Sequence, residues 1–378
     1  MKTPKPAGEF TPLIPQGVQC YFGEEVNRRR KVEAILAGIM RCWGFQEIIL
    51  PFFDYLESFS YGLGSELADR AYRFLDRDGS LLALRPDLTT LVAKTVATRM
   101  SAQPLPIKLF YSGEVFRHEK AGAGKQREYY QIGLESIGIA RTWADTEVLL
   151  LAIDCLRHLE VSDFKIALGH VGFFHGIIDG LGLHPERAAA LRDAVDRKDC
   201  AWIDDAAASL DLTPEKRRFL AELPNFAGTA EVLARALAVV ENSRSRRALQ
   251  ELSEIQAVLA ALDLESAFTF DLSEVRGLDY YTGIVFKIYG RAPGGELGGG
   301  GRYDGLLGRF GRDLPAVGFS LTLDRVLPLV RDAESLALGE FPAEEHVLAA
   351  GKAAPEQVFA RAWSLRGEGR RVRIEGGA

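Results

Sequence analysis

The chain has 378 residues, 47% of them hydrophobic and 26% charged, with a net charge of −6. Such a chain is globular, exceeds one ordinary core, lacks an apolar run of membrane-spanning length, and disfavours a polyanionic partner such as RNA. Cys20, Cys42, Cys155 and Cys200 form no Cys-x-x-Cys pair and the six histidines show no metal spacing. This excludes a zinc or disulfide framework and fits a reducing cytosol.

The start, Met1-Lys2-Thr3-Pro4-Lys5-Pro6, is polar and proline-broken, and is not expected to be a signal peptide. Val26, Val32, Ile35, Leu36, Ile39 and Met40 recur at helical spacing, predicting a helix over 24–43 that Gly44 ends. Phe45–Leu50 reads as a strand stopped by Pro51. A hairpin is expected over 72–84 around Asp76-Arg77-Asp78-Gly79, then a helix from Leu88 to Met100. Segments 108–111 and 113–117 read as strand and 129–137 as their partner, with 119–128 as the loop of a long hairpin. A helix over 145–159 and a strand over 164–168 follow; His170 reads as a strand end and His175 as a helix face. Residues 184–262 are rich in Ala, Leu, Arg and Glu, with helix starts at Pro185, Thr213-Pro214 and Thr229, and predict four or five helices. Strands return at 268–272, 284–289 and 317–322, with a helix starting at Asp324. After a linker, the tail gives strand, helix, strand at 346–350, 355–365 and 371–374, a unit too small to bury its sheet alone.

Several constellations suggest a binding site. Asp87 and Thr89 in Arg85-Pro86-Asp87-Leu88-Thr89 sit at a strand-to-helix junction, where they either cap the helix or receive an ammonium group. Arg117 ends a strand, well placed for a carboxylate or phosphate. Gln131 and Glu135, four apart on a strand, share one face, and buried there each needs a ligand or an internal hydrogen-bond network as partner. Finally, Val275-Arg276-Gly277-Leu278-Asp279-Tyr280-Tyr281 precedes a glycine-rich loop, Gly298-Gly299-Gly300-Gly301-Arg302-Tyr303-Asp304-Gly305. Together these bring an arginine, adjacent tyrosines and a close-approach glycine turn near one another, which suits a small, charged, aromatic ligand.

These motifs, in this order, resemble the catalytic core of class II aminoacyl-tRNA synthetases, and within them the histidyl enzyme, over residues 12–335. The helix–strand–Pro51 unit is similar to the class's dimer-forming first motif. Phe116-Arg117-His118-Glu119 through Gln131 is similar to its second motif, and Ala316-Val317-Gly318-Phe319 through Asp324-Arg325 to its third. The two stretches ending at Tyr281 and Gly305 match parts particular to the histidine enzyme. The resemblance implies an α+β fold: an antiparallel sheet flanked by helices (1–183 and 263–335), a helical insertion (184–262) and a truncated anticodon-domain-like βαβ piece (344–378). It implies a histidine pocket. Asp87, Thr89 and Gln131 would hold the ammonium, Glu135 and Tyr281 the imidazole nitrogens, and Arg276 the carboxylate. Tyr280 would belong to the same pocket, and Tyr303 with Gly300-Gly301 would wall the ring. Arg117, Glu119 and Arg325 match nucleotide-holding positions.

The chain departs from the enzyme at Lys125, where the family has an arginine, at Thr322, where it has a glycine, and at Cys20, where it has an aspartate. Set beside the enzyme, the tail is expected to carry only the first piece of an anticodon domain. This pattern resembles the regulatory subunits of ATP phosphoribosyltransferase, paralogues of the synthetase that do not charge tRNA. That resemblance implies no catalytic residue, no metal or cofactor and a vestigial nucleotide site. It also implies a cytoplasmic protein that binds L-histidine and a short-form catalytic subunit, as a homodimer within a hetero-oligomer such as a hetero-octamer, with neither tRNA nor membrane as partner. A truncated synthetase forming histidyl-adenylate, or a histidine-binding module with another partner, are the alternatives.

Overall fold

The computed structural model describes residues 14–63, 68–119, 126–140, 142–210, 212–274, 281–291, 295–331, 336 and 345–376. Helix α1 (Glu24–Cys42) buries Val32, Ile35, Leu36 and Ile39, the stripe its spacing dictates, with Glu24 and Glu25 in the first turn and Arg41 in the last, as the helix dipole favours. The strand expected after it shrinks to β1 (Gln46–Glu47), whose parallel pairing lasts two residues and leaves Ile49 91% exposed. Strand β2 (Phe53–Tyr55), helix α2 (Leu56–Leu63), and strands β3 (Arg73–Leu75) and β4 (Leu81–Leu84) follow. The expected β3–β4 hairpin forms, and β2 completes a three-stranded sheet in the order β2-β4-β3. Helix α3 (Thr89–Arg99) leads to β5 (Ile107–Phe116) and β6 (Glu128–Ile137), paired antiparallel over their full length.

Helix α4 (Thr142–His158), strand β7 (Phe164–His170) and helix α5 (Val171–Leu181) continue the body. Five helices follow, α6 (Pro185–Asp196), α7 (Cys200–Ala208), α8 (Pro214–Glu222), α9 (Glu231–Val239) and α10 (Ser243–Ala261), with a two-residue strand β8 (Ala227–Gly228) before α9. Proline opens α6 and α8, where its missing N–H costs nothing, and the Thr213 hydroxyl caps α8 by accepting from the Lys216 N–H. The chain then gives β9 (Phe268–Asp271), β10 (Ile284–Gly290), β11 (Glu296–Arg302), β12 (Ala316–Thr322) and the short helix α11 (Leu323–Val326).

One nine-stranded sheet, in the order β1-β5-β6-β12-β11-β10-β7-β9-β8, is the spine. The pairings from β5 through β7 are antiparallel, while β1–β5 and β7–β9 are parallel. The glycine run expected as a loop is instead β11, in the middle of this sheet. Its glycines are needed for crowding rather than for a turn: a Cβ on Gly300 would strike the Gly318 carbonyl, and one on Gly301 would lie 2.8 Å from the Tyr281 ring.

The tail forms β13 (Glu345–Ala349), α12 (Pro355–Gly367) and β14 (Arg371–Glu375), with the strands parallel. It leans on the body, as its size demands. Trp363 meets Trp43 edge-on at 6.3 Å, Phe359 packs on Trp143 at 5.1 Å, and the Arg366 guanidinium lies 3.4 Å over the Trp43 ring. Among the described residues, no helix is long and apolar enough to cross a membrane, and no cluster of His, Cys, Asp or Glu could hold a metal.

Candidate functional site

Sheet register builds the site. Along β6, Gln131, Gly133 and Glu135 point to one face, opposite Thr322, Ser320 and Gly318 of β12. On the other side of β6, Tyr111 of β5 stands opposite Gly133. Glycine at 133 and 318 keeps this face hollow: a Cβ on Gly133 would lie 2.7 Å from the Tyr111 hydroxyl, and one on Gly318 would collide with the Glu135 carboxylate. The result is a cavity of about 250 Å³ lined by Asp87, Thr89, Arg117, Gln131, Glu135, Tyr281, Gly299, Gly300, Tyr303, Gly318, Phe319 and Ser320. Asp87 and Thr89 enter from the junction before α3, Tyr281 from the start of β10, and Tyr303 from the end of β11.

Glu135 is 1% exposed. Its carboxylate accepts from the Tyr111 hydroxyl at 3.0 Å and, on the other oxygen, from the Tyr303 hydroxyl. Burial pushes its pKa up to about 7, against the opposing pull of hydrogen bonds from Tyr303, Thr89 and Tyr111. Burial likewise raises Asp87 to about 6, against the attraction of Arg117. Asp87 also receives the Thr90 N–H at 3.3 Å and the Thr90 hydroxyl at 3.4 Å, so it both faces the cavity and braces the start of α3. The Thr89 and Tyr111 hydroxyls stand 3.4 Å apart. Arg117 donates from Nε to the Pro86 carbonyl at 2.8 Å. Burial lowers its pKa and the guanidiniums of Arg70 and Arg325 add to this, against the charge of Asp87. The cavity is thus lined by two carboxylates and two tyrosines, with the Arg117 guanidinium beside them.

Of the residues singled out from sequence, Asp87, Thr89, Gln131, Glu135, Tyr281, Tyr303 and Arg117 converge on this cavity. Glu119 and Arg325 do not line it: Glu119 pairs with Arg70, and Arg325 donates to the Glu296 carbonyl at 2.9 Å. Arg276 and Tyr280, together with Lys125, lie outside the described residues. Sequence reasoning missed Gly318 and Ser320, which line the cavity, and Tyr111, which reaches it by bonding Glu135. Their signal is positional, set by cross-strand register with Gly133 or Glu135.

The histidyl-tRNA synthetase family model matches residues 17–326. The ATP phosphoribosyltransferase regulatory subunit of Syntrophotalea carbinolica is 41% identical, over 87% of this chain and 77% of its own length. That of Moorella thermoacetica is 37% identical, over 96% of this chain and 92% of its own. The chain belongs to this family of synthetase-like regulatory subunits. Such relatives are named as regulatory subunits of an enzyme, not as its catalytic chain. Among solved structures, an ATP phosphoribosyltransferase regulatory subunit/histidyl-tRNA synthetase from Bacillus halodurans is 27% identical, with a TM-score of 0.79, covering 97% of this chain and 93% of that one. The apo histidyl-tRNA synthetase of S. aureus, 23% identical with a TM-score of 0.60, covers 97% of this chain and 86% of that one and shares the fold.

Proposed function

We propose that the chain regulates ATP phosphoribosyltransferase by binding L-histidine in this cavity. In this reading it joins a short-form catalytic subunit, is required for that subunit's activity, and carries histidine feedback to the first step of histidine biosynthesis. One observation supports the ligand most: a buried carboxylate, Glu135, already braced by two tyrosine hydroxyls, faces a small cavity that also holds Asp87, Thr89 and Gln131. A carboxylate has about four acceptor positions, so Glu135 can take an imidazole N–H besides its two tyrosines. Asp87, Thr89 and Gln131 offer acceptors for an ammonium group. Arg117 offers a cation for the ligand's carboxylate beside Arg276, to which the family resemblance gives that role. Tyr281 and Tyr303 supply aromatic walls.

Regulation would then be linkage. Histidine shifts the assembly toward its less active state by the difference in its affinity for the two states. Calorimetric titration of L-histidine into the purified chain tests the ligand. Saturable binding is expected, and absence of binding at millimolar histidine would remove the cavity assignment. Histidine-dependent exchange of pyrophosphate into ATP would show that the chain still activates the amino acid, and would overturn the regulatory reading.

A further inference from the structure

Arg302 lies in the most prominent sequence motif of the chain, yet it does not line the cavity. It is 5% exposed, and it touches both segments that carry the tyrosine walls as well as the helix behind them. Its Nε and Nη2 donate to the same Asp145 oxygen at 2.9 and 2.8 Å, and its Nη1 donates to the Ile139 carbonyl at 3.1 Å and to Asp304 at 3.0 Å. Its own carbonyl accepts the Thr282 N–H at 2.7 Å and the Thr282 hydroxyl at 3.3 Å. The Asp304 N–H donates back to the Thr282 hydroxyl at 2.9 Å, and Asp304 receives the Ala316 N–H at 3.0 Å. The stem of Arg302 fills the space over Gly283, where a Cβ would lie 2.7 Å from it.

Thr282 is the residue after Tyr281, and Tyr303 is the residue after Arg302. The two aromatic residues flank the same end of the antiparallel pair β10 and β11, one before the first strand and one after the second, and are joined through this one cluster. Asp145, the anchor, sits in the first turn of α4, so the cluster is fixed to the helical layer behind the sheet rather than to the cavity. We propose that Arg302, held by Asp145, is a positioning residue for ligand binding: it sets the relative placement of Tyr281 and Tyr303 and thereby the Tyr303–Glu135 hydrogen bond. This rests on the reading of the cavity as a histidine site. Lysine in place of Arg302 keeps the charge but cannot reach Asp145, Ile139 and Asp304 at once, because a single ammonium replaces a planar fork.

A double-mutant cycle on the full chain tests this, with L-histidine as the titrant and thermal unfolding as the control for folding. Tyr303→Phe alone, which removes the hydroxyl that meets Glu135, is expected to weaken histidine binding by about tenfold. Arg302→Lys alone is expected to weaken it by at least as much. The double variant is expected to bind no worse than Arg302→Lys, because the hydroxyl is already misplaced; a purely structural role would instead give multiplied losses. Should Arg302→Lys fail to fold, Thr282→Val, which removes only the hydroxyl bridge between Arg302 and Asp304, is read in its place and is expected to show the same non-additivity with Tyr303→Phe. Wild-type binding with unchanged affinity in the folded single variant, or with fully additive losses, overturns the proposal. Absence of histidine binding by the wild-type chain instead overturns the reading of the cavity.

Discussion

Glu135 sits under two opposing demands. The sheet buries it, which favours the neutral acid, while three hydroxyls favour the carboxylate. Losing one charged hydrogen bond to a buried ligand costs about 1 kcal/mol or more, so Glu135→Gln is expected to weaken histidine binding by at least that amount in calorimetry; equal affinity would contradict the role given to it. Arg276→Ala is expected to do the same. The pH dependence has a definite sign. Unfolded, Glu135 and Asp87 titrate in the ordinary carboxylate range, whereas folded they hold protons up to about 7 and about 6. The folded chain binds protons more tightly across that window, so this contribution to stability is full below it and is lost as pH rises through it. The ligand-free chain is therefore expected to lose melting temperature between about pH 5 and about 7 from these groups, and Glu135→Gln to lose less. Identical slopes for the two proteins in differential scanning fluorimetry would refute the burial argument. Gln131 and Glu135 could be read from sequence because strand periodicity alone puts them on one face. Tyr111 could not, since its direction depends on which residue of β6 it opposes.

At the scale of elements, the glycines of β11 and β12 shape the cavity by what they lack. Gly318 opposes Glu135 in the β6–β12 ladder, and any side chain there would overlap the carboxylate and the Leu134 carbonyl. Gly318→Ala is expected to destabilise the chain by about 2 kcal/mol, as overpacking does, and to abolish histidine binding. A denaturant midpoint equal to wild type would show that the face has room to spare. These same glycines explain the main misreading. Four successive glycines carry no strand propensity, so 298–301 look like a loop. What holds them extended is antiparallel pairing to β10 on one side and β12 on the other, a tertiary fact. Helices were more legible. The α1 stripe, the proline starts of α6 and α8, and the strand–helix–strand tail follow from local chemistry, whereas β2, three residues long, and α2, eight residues long, are too short for their apolar spacing to repeat.

For the whole molecule, the exposed surface points to where copies would meet if the chain pairs with itself. Ile49, Phe52, Phe53 and Tyr55, with Phe74, Leu75 and Leu81, are exposed large hydrophobic residues around the three-stranded sheet. Phe53, Tyr55 and Phe74 lie on one face of that sheet and Leu75 and Leu81 on the other, and exposed apolar residues grouped around one element mark an interaction site. The homodimer inferred from the 24–50 segment would therefore rest on its Ile49 end and on the β2–β4–β3 sheet, since the apolar stripe of α1 is already buried within the chain. Light scattering is expected to give a dimer for the wild type and a monomer for an Ile49→Asp, Leu75→Asp double variant; a wild-type monomer would contradict the interface. The measurement that bears most directly on the regulatory reading is the phosphoribosyl-transfer rate of a short-form catalytic subunit mixed with this chain, with and without L-histidine. The rate is expected to rise on adding the chain, to fall with histidine, and to lose that histidine response when the chain carries Glu135→Gln. A rate indifferent to the chain, or an inhibition by histidine that Glu135→Gln leaves intact, would contradict a histidine-sensing role for this cavity.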